Sequence, residues 1–138
     1  MIKVLRAELR GLRVTGCDLG DHGCLTIDPQ FCRQAGIFPL EFVDIWNKNT
    51  GARLSTYVTF GPDGSRCCVL NGAAARVCQF GDELSIRVAA YPADPAELFS
   101  LKPRVLVFGP GNRIIESLYY TVTENEQGHV LTMAPADA

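Results

Sequence analysis

Short apolar runs rich in β-branched residues alternate with polar turn residues along most of the chain, a pattern typical of β-strands. The predicted strands cover residues 2–9, 12–15, 25–27, 42–46, 54–60, 67–70, 84–91, 105–108 and 114–122. Asn, Asp, Gly and Pro cluster at 47–51 and 61–64, where they predict turns. The pattern therefore predicts a mainly-β fold, and a small barrel is the architecture that it favours.

Three short helices are predicted between the strands. Asp28 suits an N-cap, Pro29 suits the first helical position and Gly36 suits the end, so a helix is expected over residues 30–35. The other two are expected at 73–77, beginning near Asn71, and at 94–99. The polar, Ala- and Pro-rich segment 124–138 is expected to be a flexible tail, which leaves residues 1–123 as a single domain.

Composition and charge exclude several functional classes. The chain has 138 residues, 47% hydrophobic and 20% charged, which is the balance of a globular domain with its own core. A formal net charge of −2 offers no basic surface for nucleic acid. No apolar run approaches the roughly 20 residues of a membrane-spanning helix, and the apolar stretch after Met1 is too short for a secretion signal. A cytoplasmic location without nucleic-acid or membrane partners is therefore expected.

The six cysteines do not predict a metal site. None of them forms a Cys-x-x-Cys pair, and the two histidines are far apart in sequence, whereas structural zinc ligands come in close pairs. Disulfides are not expected in a cytoplasmic chain either. Most of these thiols are therefore interpreted as small core residues.

One cysteine stands in a stretch that suits chemistry. In the sequence DHGCLTID, residues 21–28, Cys24 follows a glycine, and His22 precedes it by two positions. Three interpretations are open: a buried thiol, a nucleophile toward a substrate, or a nucleophile that attacks its own backbone. If the segment is extended, His22 and Cys24 share a side, so His22 is either an acid or base for the thiol or a surface residue.

Five segments together resemble the aspartate 1-decarboxylase family of pyruvoyl enzymes, which make β-alanine. They are VTGCDL (14–19), GCLTIDP (23–29), the segment from AGI to VDIWN (35–47), TGARLSTYV (50–58) and the segment from LNGAAARV to GD (70–82). The resemblance covers about residues 1–92 and implies a double-psi β-barrel. It also implies a homotetramer with active sites between subunits and a small-molecule substrate.

The family's chemistry begins with self-cleavage at a Gly-Ser bond, after which the serine becomes a pyruvoyl group. This chain has Gly23 and Cys24 at that position, so the resemblance implies a pyruvoyl cofactor derived from Cys24. A thiolate is a good nucleophile near neutral pH, and glycine allows the backbone to distort. A thioester also hydrolyses readily, so Cys24 can mature, cut the chain without making the cofactor, or stay intact.

Other positions match the family's functional residues. The resemblance implies that Arg53 holds a substrate carboxylate, that Thr56 polarises the Gly23 carbonyl and later contacts substrate, and that Tyr57 donates a proton after CO₂ leaves. Without it, these residues read as a surface charge, a β-former and a strand aromatic. The pocket is further expected to be lined by Asn71, Gly72, Ala73 and Ala74.

Glu8 departs from the resemblance because the family has a lysine there that binds the acidic substrate. At about 4 Å and an effective dielectric of 20, a unit charge pair is worth about 4 kcal/mol, so this reversal repels a second carboxylate strongly. Aspartate would then be a poor substrate unless Glu8 is protonated or a cation such as Arg6 or Arg10 compensates. The alternative interpretation is a solvent-facing Glu8 on an edge strand.

Three functional hypotheses follow. The first is a pyruvoyl-dependent decarboxylase of aspartate or a related amino acid. The second is a divergent, uncleaved homologue that uses Cys24 with Glu8, Tyr57 or His22 for another reaction, for example in secondary metabolism. The third is a binding or regulatory oligomer without catalysis. Intact mass separates the first from the others, because cleavage yields fragments 1–23 and 24–138.

Overall fold

Ten strands account for most of the chain in the computed structural model, which describes residues 1–20 and 22–136. The strands are β1 Val4–Arg13, β2 Gly16–Asp18, β3 Cys24–Ile27, β4 Phe42–Asn47, β5 Arg53–Phe60, β6 Cys68–Asn71, β7 Glu83–Ala90, β8 Arg104–Gly109, β9 Arg113–Asn125 and β10 Gly128–Pro135. The helices are α1 Pro29–Ala35, α2 Leu98–Leu101 and three 3₁₀ turns at Gly72–Arg76, Pro95–Glu97 and Pro110–Asn112. The predicted mainly-β fold with short helices is confirmed.

The strands form one mixed sheet in the order β10-β9-β8-β1-β7-β4-β5-β3-β6-β2. The pairs β1 with β8, β2 with β6 and β3 with β5 are parallel, and the other pairs are antiparallel. This mixed strand order is consistent with the predicted barrel. No helix in the described ranges is both long and apolar enough to cross a membrane.

Alternation along five neighbouring strands separates an apolar face from a polar one. On one side of β1, β7, β4, β5 and β3, residues such as Leu9, Ile86, Ile45, Val58 and Leu25 are fully buried and form the core. Because successive side chains point to opposite faces and cross-strand partners share a face, the polar positions between them gather on the other side. The candidate active site lies on this polar face.

A glycine bulge joins two segments that the sequence separates. Residues 2–9 and 12–15 were predicted as two strands, whereas β1 runs without a break from Val4 to Arg13. Gly11 has a φ of 83° at the point where the pairing with β7 shifts register between Arg10 and Leu12. A left-handed glycine that interrupts the hydrophobic alternation is the mark of a bulge inside one strand rather than a turn between two.

The C-terminal segment differs from the expected flexible tail. Residues 128–135 form β10, which pairs in antiparallel register with β9 from Gly128 opposite Asn125 to Pro135 opposite Leu118. Gly128 has a φ of 116°, which a tight turn requires. The strand is exposed along most of its length, so its polar composition hid the pairing. The regular structure therefore continues past residue 123, and residues 137–138 lie outside the described residues.

Asp28 connects the helix to the strands that carry the site. Its buried carboxylate accepts backbone N–H groups from Gln30 at 2.9 Å, Gly64 at 3.0 Å and Arg66 at 2.8 Å, so it caps α1 and holds the loop before β6. Burial alone acts to raise the pKa of Asp28, but these donors and the charge of Arg33 lower it overall. The predicted cap is confirmed, and Gly36 ends the helix with a φ of 78°.

We expect Asp28→Asn to lower the free energy of unfolding by about 1–3 kcal/mol at pH 7, because one amide oxygen cannot serve three donors. A carboxyl whose folded pKa lies below its unfolded value of about 3.9 stabilises above that pH and loses this contribution as the pH falls. Urea unfolding between pH 3 and 7 should therefore show a difference that shrinks below about pH 4. The exposed Asp63→Asn serves as the control, and a pH-independent difference at Asp28 would contradict the expectation.

Candidate active site

Cys24 begins β3 and is 6% exposed, on the polar face of the sheet. Its Sγ lies 3.2 Å from Nδ2 of Asn71, 3.5 Å from the hydroxyl of Thr59 and 3.9 Å from that of Thr26. Asn71 is the cross-strand partner of Cys24 in β6 and is itself buried. The thiol is thus covered by a small polar cluster rather than by the apolar core.

This cluster can serve both protonation states of the sulfur. The amide of Asn71 donates to Sγ and, at 2.8 Å, to Thr26, while the hydroxyls of Thr26 and Thr59 are 2.8 Å apart. With a thiol, S–H donates to Thr59 and Thr59 donates to Thr26. With a thiolate, both hydroxyls rotate, so that Thr26 donates to Thr59 and Thr59 donates to sulfur. Deprotonation of Cys24 therefore requires no rearrangement of the backbone.

The peptide bond before Cys24 is contacted by a residue of β5 whose side chain points to the apolar side of the sheet. The Thr56 hydroxyl, pointing inward, donates to the Gly23 carbonyl oxygen at 3.3 Å. A hydroxyl on this oxygen stabilises the negative charge that develops there when a nucleophile attacks the carbonyl carbon. The predicted partnership of Thr56 with the Gly23 carbonyl is present in the structure.

The turn after β6 lies beside the thiol through Asn71. Gly72 has a φ of 64°, which allows the chain to leave the strand and enter the 3₁₀ turn Gly72–Arg76 directly. Gly72 and Ala74 are buried, whereas Ala73 is exposed. Among the predicted turn residues, Asn71 is the one whose side chain bonds to Cys24.

Tyr57 shares the face and the level of Cys24. In the parallel pairing, Leu25 lies opposite Val58, so one residue earlier Cys24 is level with Tyr57. The Tyr57 ring is partly exposed and lies 6.0 Å from the ring of Phe42, its partner in β4. Within residues 1–20 and 22–136 its hydroxyl has no hydrogen-bond partner, so it is available to a bound molecule.

Arg53 lies on the same face but far along the strand. It is four residues before Tyr57, which corresponds to about 13 Å in an extended strand. Its guanidinium carbon stacks 4.0 Å from the ring centroid of Trp46, its cross-strand neighbour. In one chain, Arg53 and Cys24 therefore belong to different clusters.

Glu8 is neither exposed nor on an edge strand. It is 4% exposed, and β1 lies between β8 and β7. Its carboxylate accepts hydrogen bonds from Arg10 at 3.1 and 3.2 Å and from the Ser85 hydroxyl at 2.9 Å, and it lies 3.8 Å from Nε of Arg87. The solvent-facing interpretation is wrong, and one carboxylate facing two guanidinium groups leaves the cluster net positive.

Of the two arginines considered as partners that neutralise Glu8, Arg10 contacts its carboxylate and Arg6 does not. Hydrogen bonds from Arg10 to Glu8 and to Tyr120 raise the pKa of Arg10. Arg6 instead pairs with Glu41 and donates to the Gly36 carbonyl. Arg87, which the sequence did not suggest, is the second cation on Glu8.

The predicted site residues thus form two clusters, which lie on the polar sheet face except for Thr56, whose side chain reaches the Gly23 carbonyl from the apolar side. The first cluster contains Cys24, Thr56, Tyr57 and Asn71, and the second contains Glu8 and Arg53. Glu8 on β1 is four strand spacings from Cys24 on β3, about 19 Å along the sheet. His22 is exposed, and its role as an acid or base stays a prediction; Asp21, which precedes it, is outside the described residues.

Five residues that reasoning from the sequence missed complete these clusters. Alternation from Cys24 and from Tyr57 could have placed two of them, because both lie two residues further along their strands on the same face. The other three required the order of the strands, which the sequence pattern does not contain. They are Thr26, Thr59, Trp46, Ser85 and Arg87.

The chain is similar in sequence to known proteins along most of its length. Residues 1–115 match the sequence model of the aspartate decarboxylase family. An aspartate 1-decarboxylase of Paramagnetospirillum magneticum is 58% identical over 92% of this chain and 71% of its own length. Those of Rhodospirillum centenum and Agrobacterium fabrum are 58% and 56% identical, over 88% and 90% of this chain and 80% and 79% of their own lengths.

A mainly-β fold, matched to proteins named aspartate decarboxylases along nearly its whole length, defines an enzyme of the carboxy-lyase type. More particularly, the chain belongs to the aspartate decarboxylase family.

We expect Glu8→Lys to lower the free energy of unfolding by about 3–5 kcal/mol, because it buries a third cation against Arg10 and Arg87. Urea unfolding is the measurement, and Glu116→Lys makes the same charge change at an exposed position of β9. Equal stability of the two variants would contradict the paired geometry of Glu8.

Proposed function

We propose that the chain cleaves itself between Gly23 and Cys24 and then decarboxylates aspartate, or a closely related amino acid, with a pyruvoyl group derived from Cys24. Loss of the α-carboxylate from aspartate leaves β-alanine. The observation that carries the proposal is the 3.3 Å hydrogen bond from Thr56 to the Gly23 carbonyl, directly beside the Cys24 thiol. A nucleophile, its target carbonyl and a donor for the developing oxyanion are assembled in the uncut chain.

The proposed cleavage is balanced without another reactant except water. Sγ of Cys24 attacks the Gly23 carbonyl carbon, the peptide C–N bond breaks, and the nitrogen takes the proton that the thiol loses. The resulting thioester eliminates across Cα–Cβ of residue 24, which frees Gly23 as a thiocarboxylate and leaves dehydroalanine. Water then releases ammonia and leaves a ketone carbonyl at residue 24.

The surrounding residues suit a pyruvoyl group at this position. It would supply an electron-accepting carbonyl at Cα of residue 24, and in the uncut chain the Asn71 amide contacts the side chain of that residue through Sγ. Tyr57, level with residue 24 and with a hydroxyl that has no partner among the described residues, is the proposed donor of the proton that replaces CO₂. Thr56 is the proposed second contact to the substrate.

We further propose that the working enzyme is a homo-oligomer, a tetramer as the family resemblance implies. A substrate held by Arg53 is too far from Cys24 of the same chain, since about 13 Å of strand separates Arg53 from the level of Cys24. A second copy that brings its Cys24 cluster to the Arg53 cluster of the first completes the site. The exposed Phe38, Leu40 and Phe42 supply an apolar surface near Tyr57 for such a contact.

An uncleaved enzyme that uses the Cys24 thiol directly is the second candidate. It is favoured by the setting of the Cys24 thiol, since Asn71, Thr59 and Thr26 can hold the sulfur in either protonation state within an intact chain. The identity of 58% to two proteins named aspartate 1-decarboxylase favours the first candidate.

We expect purified wild-type protein to consist of fragments 1–23 and 24–138 and to convert aspartate to β-alanine and CO₂. Cys24→Ala should remain one chain of 138 residues without activity, since alanine has neither nucleophile nor leaving group. Cys24→Ser should still cut, because a hydroxyl supports the same sequence of bonds. Intact mass and a β-alanine assay are the measurements.

The exposed Cys17→Ala is the matched control and should behave as wild type. An uncut but active wild type would exclude the pyruvoyl route and favour the second candidate. A fully active Cys24→Ala would exclude both.

We expect mixed oligomers of Cys24→Ala and Arg53→Ala to regain activity that each variant lacks alone. Sites that combine Cys24 of one copy with Arg53 of the other are intact, about a quarter of all sites under random assembly of a symmetric ring. The variants are coexpressed with different tags and isolated by both tags, and decarboxylation is measured.

A mixture of Cys24→Ala with Tyr57→Phe is the control, because both changes fall in one cluster and no site recovers. Recovery in the control, or none in the test mixture, would contradict a shared site.

A further inference from the structure

Two guanidinium groups stack on one indole on the polar face of the sheet. The guanidinium carbons of Arg53 and Arg87 lie 4.0 and 4.1 Å from the ring centroid of Trp46. They therefore cannot be more than about 8 Å apart, close enough for one small molecule to reach both. Like charges in this proximity repel each other, so an anion bound between them would lower this repulsion.

The guanidinium of Arg87 is fixed through Nε, whereas its two terminal nitrogens are available to a ligand. Its Nε donates to the Ser85 hydroxyl at 3.1 Å and lies 3.8 Å from Glu8, which in turn accepts from Ser85. Among residues 1–20 and 22–136, its two terminal nitrogens have no hydrogen-bond partner. The two terminal nitrogens of Arg87 thus lie over Trp46 with their N–H donors unused. This geometry is preorganised to bind a carboxylate through two parallel hydrogen bonds.

Arg53 has no anionic partner in the described part of the chain, so the N–H donors of its guanidinium are available to a ligand. The remaining charges nearby offset one another, since Lys3 lies 3.8 Å from Asp44 on the exposed rim. Two open pockets of about 280 and 290 Å³ flank the indole and share Trp46 and Asp44. Arg87 lines the first pocket and Arg53 lines the second.

We propose that Arg87 is the second cation of a dicarboxylate site, with Arg53 as the first and the partly exposed Trp46 as the floor between them. Each guanidinium takes one carboxylate of a molecule lying across the indole. Glu8 is a positioning residue: it acts through Ser85 and Arg87 rather than by touching the ligand. The inference rests on the proposed function for the reaction that the bound dicarboxylate enters, but its binding is independent of that reaction.

Because Glu8 is paired with arginines, its effect on an acidic substrate is the reverse of the repulsion expected from the sequence. A free carboxylate at this place would repel a substrate's second acidic group. A buried carboxylate that orients Arg87, and that Arg10 also neutralises, makes the same surface attractive to it. Specificity for a dicarboxylate over a monocarboxylate is then a property of Arg87.

Trp46 is the only tryptophan of the chain, so its fluorescence reports binding at this place. Succinate is the unreactive dicarboxylate probe, and butyrate is the monocarboxylate of equal carbon number. Wild-type enzyme should prefer succinate. Arg87→Ala should weaken succinate binding about ten- to a hundredfold and leave butyrate binding unchanged, as expected for the loss of charged hydrogen bonds to one carboxylate.

Further variants separate positioning from folding. Arg87→Lys keeps the charge but loses the fork, so it should fall between wild type and Arg87→Ala. Glu8→Gln keeps the shape and should lower the preference for succinate severalfold while butyrate binding stays constant. Arg113→Ala, an exposed arginine without an ion pair among the described residues, should match wild type.

The outcomes distinguish this inference from the proposed function. An Arg87→Ala protein with wild-type preference for succinate, or with wild-type KM for aspartate in an active enzyme, would overturn the inference alone. Arg87-dependent succinate binding in a wild type that does not decarboxylate aspartate would overturn the proposed function and leave the inference standing.

Discussion

The position of β3 between β5 and β6 is the constraint on which the candidate active site depends. Only four residues long, this strand pairs in parallel with β5 and antiparallel with β6. The parallel pairing brings Tyr57 level with Cys24, and the antiparallel pairing places Asn71 opposite it. Thr56, on the reverse face of β5, reaches the Gly23 carbonyl. A shift of one residue in either register would send Cys24 into the apolar core, because side chains alternate with a period of two.

Asp28 stabilises this register from the end of the strand. Its carboxylate holds the first turn of α1, which follows β3, and the loop that joins β5 to β6. Both segments are therefore tied to one buried group. The three backbone donors leave that carboxylate charged in spite of its burial. The carboxylate that caps α1 therefore also fixes the loop into β6, the strand that carries Asn71.

Charge on the polar face is arranged by compensation rather than by single residues. Glu8 read alone is a repulsive group, but in the fold it is the partner of Arg10 and Arg87. The guanidinium groups of Arg87 and Arg53 both stack on the ring of Trp46. The sign of the field that a ligand meets is set by which cations the neighbouring strands supply, since a buried carboxylate without them would be unstable.

From the sequence alone, the mainly-β class and the Asp28-capped helix could be predicted, because alternation and capping are local properties. The resemblance to a family, rather than any local pattern, supplied Thr56, Tyr57 and Asn71 as partners of Cys24. The β1 bulge and the β9–β10 hairpin were missed, since a left-handed glycine and an exposed polar strand resemble a turn and a tail. Tertiary structure alone decided the partners of Glu8 and the stacking on Trp46. Those contacts join β1, β7, β4 and β5. Their order in the sheet is set by long-range burial of the opposite, apolar face rather than by any local pattern.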